Sequence, residues 1–228
     1  MRKLKLAIIG NGMVGHRFIE AILDKATPGQ FDITVFCEEP RVAYDRVHLS
    51  SYFLHHTPEE LSLVSQDFYA KNQVEVLIGE RAITINREEK VIHSSNGREL
   101  HYDKLIIATG SYPWVPPIKG ADGEDCFVYR TIEDLNAIQA CARRSKRGAV
   151  VGGGLLGLEA AGALKNLGME THVVEFAPGL MSEQLDEMGA NQLRQKIEAM
   201  GVKVHTAKNT REIIKGGETA RKTMQFAD

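Results

Sequence analysis

Cysteine is scarce in this chain: Cys37, Cys126 and Cys141 are all there are in 228 residues, and no two stand in a C-x-x-C spacing. An odd, scattered set of thiols argues against a disulfide framework and a metal knuckle, and it fits a reducing, cytoplasmic setting. Long apolar runs are missing as well. No stretch approaches the ~20 residues of a membrane span, and the basic start Met1-Arg2-Lys3 leads into an apolar run that Asn11 cuts short, too short for a signal-peptide core. A net charge of -2 gives no field of one sign, so neither nucleic acid nor a membrane surface is expected as a partner. The one basic run, Arg143-Arg144-Ser145-Lys146-Arg147, follows a helix-like stretch from Glu133 to Ala142 and reads as a solvated helix end, where cations oppose the dipole. No G-x-S-x-G elbow supplies a hydrolase nucleophile. His55 and His56 are adjacent and cannot share one helix face, and no carboxylate–histidine spacing completes a ligand set, so no metal site is expected.

What the chain does have is 43% hydrophobic and 25% charged residues, the balance of a globular protein with room for one large or two small domains. It also has two glycine fingerprints, Gly10-Asn11-Gly12-Met13-Val14-Gly15 and Gly152-Gly153-Gly154-Leu155-Leu156-Gly157. Each follows an apolar strand and opens a helical run. The first glycine makes a tight turn, the second admits a pyrophosphate to the backbone, and the third lets helix pack on strand. Free N–H groups at the helix start then face the phosphates. Two such motifs in this context predict two dinucleotide sites.

Periodicity supplies the context. Leu4 to Ile9, Met13 to Leu23 and Asp32 to Cys37 read as β-α-β, and Gly148 to Gly152, Leu155 to Leu167 and Glu170 to Glu175 read as a second. Thr57-Pro58-Glu59-Glu60 has the form of a capped helix start. Val74 to Ile78, Arg81 to Asn86, Lys90 to His93 and Glu99 to Tyr102 are short strands suggesting a small meander. An apolar strand, Leu105 to Ala108, ends in Thr109-Gly110 before a proline-stiffened connector, Ser111 to Pro117. An amphipathic helix, Leu185 to Met200, a strand, Val202 to Thr206, and the opening of a hairpin from Arg211 complete the pattern. The expected fold is α/β with two Rossmann-like β-α-β units, divided as 1–113, a crossover 114–146, and 147–228.

A Rossmann unit carries an acidic residue about 20 positions beyond its glycines to bind a ribose hydroxyl. In the second unit this is Glu175, whose charge would repel a 2′-phosphate, favouring NAD(H) over NADP(H). A solvated strand-end glutamate is the alternative. In the first unit Glu38 fills the role, with Glu39 and Cys37 competing for it. Arg46 stands where a guanidinium could fold over a pyrophosphate or form a surface ion pair. Glu159, two residues into the second helix, faces the mouth of its fingerprint, or simply complements the dipole as a helix-start carboxylate. Thr109-Gly110 could present a hydroxyl and close backbone to a cofactor, or be a plain turn. Tyr52, Phe53, Trp114 and Phe127 read as packing residues.

These features, with Ala43-Tyr44-Asp45-Arg46-Val47-His48-Leu49-Ser50-Ser51-Tyr52-Phe53 and Gly152 to Ala161, resemble the two-dinucleotide-binding flavoprotein reductases, in which an NAD(P)H domain interrupts an FAD domain. Within them the chain is most similar to the siroheme-type, NADH-dependent nitrite reductase large subunits. The resemblance covers the whole chain. It implies that Gly10, Asn11, Gly12, Met13, Val14, Gly15, Glu38, Glu39, Arg46, Thr109 and Gly110 lie on FAD. It places Gly152, Gly154, Leu155, Gly157, Glu159 and Glu175 on NAD, with Glu159 at the catalytic position. NADH would then reduce FAD, and an iron-sulfur cluster and siroheme elsewhere would carry nitrite to ammonium, with a small subunit or a second copy as possible partners.

Ser51 departs from the lysine that ferredoxin- and rubredoxin-type reductases often carry after Leu-Ser. A returning flavin segment with a Gly-Asp-type motif is not found after Glu175, and three unclustered cysteines cannot replace cluster and siroheme ligands. The expectation is therefore of a piece of a longer chain that does not reduce nitrite alone. A disulfide reductase is disfavoured, because no redox cysteine lies between Arg46 and Phe53. A ferredoxin or rubredoxin reductase fragment and a non-catalytic nucleotide-binding module are the alternatives.

Overall fold

A computed structural model describes residues 2–54, 57–65, 67–216 and 222–227; His55 and His56 lie outside the described residues. The chain divides into two compact units, one of Met1–Arg46 and Thr57–Tyr112, the other of Val47–His56 and Pro113–Asp228.

In the first unit, β1 (Leu4–Ile9), α1 (Met13–Lys25) and β2 (Phe31–Cys37) form the expected β-α-β, with β1 and β2 parallel. A second helix, α2 (Phe68–Lys71), is a single turn that leads into β3 (Val74–Ile78). The antiparallel strands β4 (Ala82–Asn86), β5 (Val91–Ser94) and β6 (Glu99–His101) make a meander, and β7 (Lys104–Ile107) returns to the parallel sheet. The sheet order is β3-β2-β1-β7.

Both faces of β1 are covered, which explains its uninterrupted apolar run. Leu6 and Ile8 pack with Ile19 of α1 and with Ile33 and Val35. Ala7 and Ile9 face Phe36, Leu77 and Ile92 beneath the meander. Helix α1 turns Gly15, His16 and Ile19 inward, an i, i+1, i+4 stripe.

Two sequence expectations are corrected here. Val74–Ile78 is no part of the meander; it pairs in parallel with β2, Ile33 against Val74 and Phe36 against Leu77, because Val74 and Leu77 each bury on an opposite face of the sheet. Thr57 does not begin a helix. The reciprocal capping bonds form, Thr57 N–H to Glu60 Oε2 at 2.9 Å and Glu60 N–H to Thr57 Oγ1 at 3.3 Å. The chain then makes a turn instead, since Leu63 N–H donates to Ala43 O and Ser62 bridges Tyr44.

The second unit contains a 3₁₀ helix (Leu49–Leu54), α3 (Ile132–Ala142), β8 (Arg147–Val151), α4 (Leu155–Asn166), β9 (Glu170–Val174), α5 (Glu187–Ala199) and β10 (Lys203–His205). The parallel order is β10-β9-β8, and β11 (Thr210–Ile214) pairs with β12 (Thr223–Phe226) as a hairpin. Ala161 of α4, Leu180, and Val173, Val202 and Val204 form this unit's core. In the basic run after α3, Arg144 pairs with Asp125, and Arg147, the first residue of β8, with Glu170 at 2.7 Å. Phe53 is buried, but Trp114 is 80% exposed and Phe127 is exposed too, so the packing role expected for those two is corrected; the prolines around Trp114 hold the connector extended.

Candidate functional site

Both fingerprints sit where the carboxyl ends of parallel strands meet a helix start, the position at which open α/β sheets bind ligands. Gly10 and Gly152 turn with φ of +108° and +115°, a region L side chains avoid. Gly15 and Gly157 leave no room for any side chain, because a Cβ on either would collide with the carbonyl oxygen of Gly10 or Gly152 respectively. These four glycines are demanded by the fold.

Gly12 and Gly154 are different. Their φ values are ordinary, −87° and −81°, and a Cβ on either would meet nothing within 4 Å. Neither strain nor packing asks for glycine there. Each is also the N-cap of its helix, and neither helix has a side-chain cap, so N–H groups of the first turn stay available to an anion. A phosphate brought against the backbone explains both features.

Around the first cradle, β7 brings Ala108 against Gly10 and Gly15, anchored by Ala108 N–H to Ile9 O at 2.8 Å. Thr109 and Gly110 therefore lie exposed beside the fingerprint, with Gly110 at φ +69°. Met13 is half-buried and Val14 exposed on the first turn of α1. At the end of β2, Cys37 points inward, its thiol donating to the carbonyls of Glu39 and Arg41. Burial and the Glu39 charge push that thiol up to about 11, which leaves it an unreactive group.

Glu38 is exposed, accepting from Tyr112 at 2.8 Å and facing Arg81 at 3.5 Å. Glu39 is held by Tyr44 at 2.7 Å and by Arg46, whose guanidinium also lies 4.8 Å over the Tyr44 ring. Arg46 is thus engaged in an ion pair, the plainer of its two sequence readings. Beneath the loop, Asn11 is buried, accepts from Tyr69 at 2.7 Å, and leaves its amide nitrogen without a partner. His16 meets Tyr69 at 3.2 Å, and burial lowers its pKa more than Glu20 raises it.

Around the second cradle, Glu175 is fixed rather than loose. Its two carboxylate oxygens accept from Gly153 N–H at 2.5 Å and Ala177 N–H at 2.6 Å, so it lies against the glycine loop. Leu155 opens α4 and is exposed, and Glu159, the fifth residue of that helix rather than two residues into it, is half-buried. Sequence reasoning missed Tyr129, whose hydroxyl is buried without a partner; its only signal was an aromatic just before the Thr131 cap. Among the described residues no group of three or more His, Cys, Asp or Glu could hold a metal, all three cysteines are free, and no helix is long and apolar enough to cross a membrane.

Two such cradles on one chain define a dinucleotide-binding oxidoreductase architecture. Residues 4–227 match the pyridine nucleotide-disulphide oxidoreductase profile, and the chain belongs to that family. It is 77% identical over its full length to the nitrite reductase (NADH) large subunit of Escherichia coli (strain K12), covering 27% of that protein. It is 54% identical over 94% of its length to the nitrite reductase [NAD(P)H] large subunit of Klebsiella oxytoca, covering 22% of it. Among solved structures, a NAD-dependent persulfide reductase from A. fulgidus superposes with a TM-score of 0.89 at 28% identity, over 98% of this chain and 43% of that one. The chain spans about a quarter of the length of these two curated relatives.

Proposed function

We propose that this chain is the FAD- and NADH-binding portion of an NADH-dependent nitrite reductase large subunit. FAD would lie on the first cradle and NADH on the second, so that residues 1–113 and 147–228 form the two nucleotide domains. The observation that carries the reading is the pair Gly12 and Gly154, glycines with ordinary φ and open space above them. The 77% identity to a nitrite reductase (NADH) large subunit favours this electron path over that of a rubredoxin reductase, since the NADH-rubredoxin oxidoreductase of Clostridium acetobutylicum is 28% identical.

The residues fit the cofactors. N–H groups opening α1 and α4 would hold the pyrophosphates, Glu38 or Glu39 a flavin-side ribose, and Glu175 the NADH ribose. Thr109 and Gly110 would line the flavin cradle, and Arg46 would add charge once released from Glu39. Bound flavin supplies the hydride acceptor, a chemistry that no side chain here provides. The chain's own part is to hold, orient and exclude. Iron-sulfur and siroheme chemistry, a small-subunit partner, self-association and a cytoplasmic setting belong to the same proposal for the longer protein.

The test is spectroscopic. The purified chain, supplied with FAD, should show a flavin absorption band that anaerobic NADH bleaches. A protein that takes up no flavin and binds no NADH would overturn the reading.

A further inference from the structure

The second unit also holds Tyr129, whose buried hydroxyl the cradle reading does not use. Tyr129 is offset-stacked on Phe53, ring centroids 6.2 Å apart and planes 15° apart. Phe53 is itself buried and meets Tyr52 edge-on at 6.4 Å. The Tyr52 hydroxyl donates to Asn136 of α3 at 2.7 Å, and the 3₁₀ helix that carries Phe53 packs against α4. Tyr129 is thereby clamped in a frame that includes the helix bearing Glu159.

Within that frame its hydroxyl is buried with no hydrogen-bond partner. The Tyr69 hydroxyl, by contrast, reaches Asn11 and that of Tyr44 reaches Glu39. Phenylalanine would stack equally well without orphaning a polar atom. Burial and, second, the Glu159 charge push the Tyr129 pKa up to about 12. The phenol therefore keeps its proton and can only gain from a nearby anionic acceptor. Glu159 is half-buried, one side open to water. A nicotinamide laid over it would strip that water, and a desolvated carboxylate needs a replacement donor.

We propose that Tyr129 is a positioning residue whose hydroxyl donates to the Glu159 carboxylate when the nicotinamide end of the dinucleotide covers it. The proposal rests on the reading that the second cradle holds NADH. It separates the two ends of the ligand, since ADP-ribose shares the phosphates and adenosine with NADH but has no nicotinamide to cover Glu159.

Titration calorimetry of the full chain with NADH and with ADP-ribose tests it. Tyr129→Phe should bind NADH about tenfold more weakly, bind ADP-ribose within about twofold of the parent, and melt no lower, because the free protein loses no bond. In a Glu159→Gln background the same change should cost NADH less than about twofold, the non-additivity expected of coupled groups. Equal losses for both ligands, or no loss for NADH, would overturn the proposal while leaving the cradle intact. A parent chain that binds neither ligand would overturn the cradle reading itself, and the proposal with it.

Discussion

A glycine can be required by the chain or by a guest, and the two cases here have opposite signatures. Gly15→Ala or Gly157→Ala drives a methyl into a neighbouring carbonyl and should cost about 1–3 kcal/mol, the range for overpacking, seen as a lower urea midpoint. Gly12→Val or Gly154→Val should lower that midpoint only by the loss of a favoured N-cap residue, about 1 kcal/mol or less, and abolish nucleotide uptake at the altered cradle, measured by calorimetry. His16 gives a residue-scale pH prediction. Its folded pKa lies below the unfolded value of about 6.5, with burial as the cause and Glu20, Arg17 and the Leu63 backbone as lesser influences. The unfolded chain binds the extra proton first. The stability it confers is therefore complete above about pH 6.5 and falls as pH drops toward the folded value. His16→Gln should flatten that part of a urea-midpoint-against-pH curve.

The fingerprint residues were legible in sequence because each spacing has one geometric meaning. Tyr129 was not legible, since a buried hydroxyl without a partner is a property of packing. An ion pair was one of the two readings of Arg46, but its partner, Glu39, needed the turn from Glu39 to Arg46 to be seen in three dimensions.

At the scale of elements, α3 is held at its start by a complete capping box: Asp134 N–H donates to Thr131 Oγ1 at 3.1 Å, and Thr131 N–H to Asp134 Oδ2 at 2.8 Å. Thr131→Ala should destabilise the second unit by about 1 kcal/mol, read as a lower urea midpoint. The same device at Thr57 and Glu60 yields only a turn, because the backbone beyond it is claimed by Ala43 and Tyr44. Capping signals report local hydrogen bonds faithfully; whether a helix follows is decided by burial beyond the cap. Strand β3 teaches a related lesson. Its length and composition suited a meander or a parallel sheet equally, and only its long-range pairing with β2 settles the matter.

His172 and His205 show what an element boundary can hide. Their ring planes differ by 6°, their centroids lie 5.2 Å apart, and Nδ1 of one meets Nε2 of the other at 3.0 Å. That combination sets the rings edge to edge in nearly one plane, joined by a single N–H···N bond from β9 to β10 rather than by stacking.

For the whole molecule, the parallel β-α-β pair was legible because apolar strands and glycine turns alternate in fixed order. The division into units was less so, since Val47–His56 clusters with the second unit although it follows the first in sequence. Ligand binding should register in global stability. At equal concentrations NADH should raise the Tm of the chain more than NADPH does, because Glu175 is fixed beside the glycine loop and the 2′-phosphate of NADPH would face its charge. Equal shifts would remove Glu175 from the specificity role. The open space above Gly12 and Gly154 carries one last implication, for descent rather than chemistry. In a lineage that stopped using one of its nucleotides, selection for the fold would still guard Gly15 or Gly157 but would no longer guard the middle glycine. Drift at that one position would mark a vacated cradle in an otherwise intact protein.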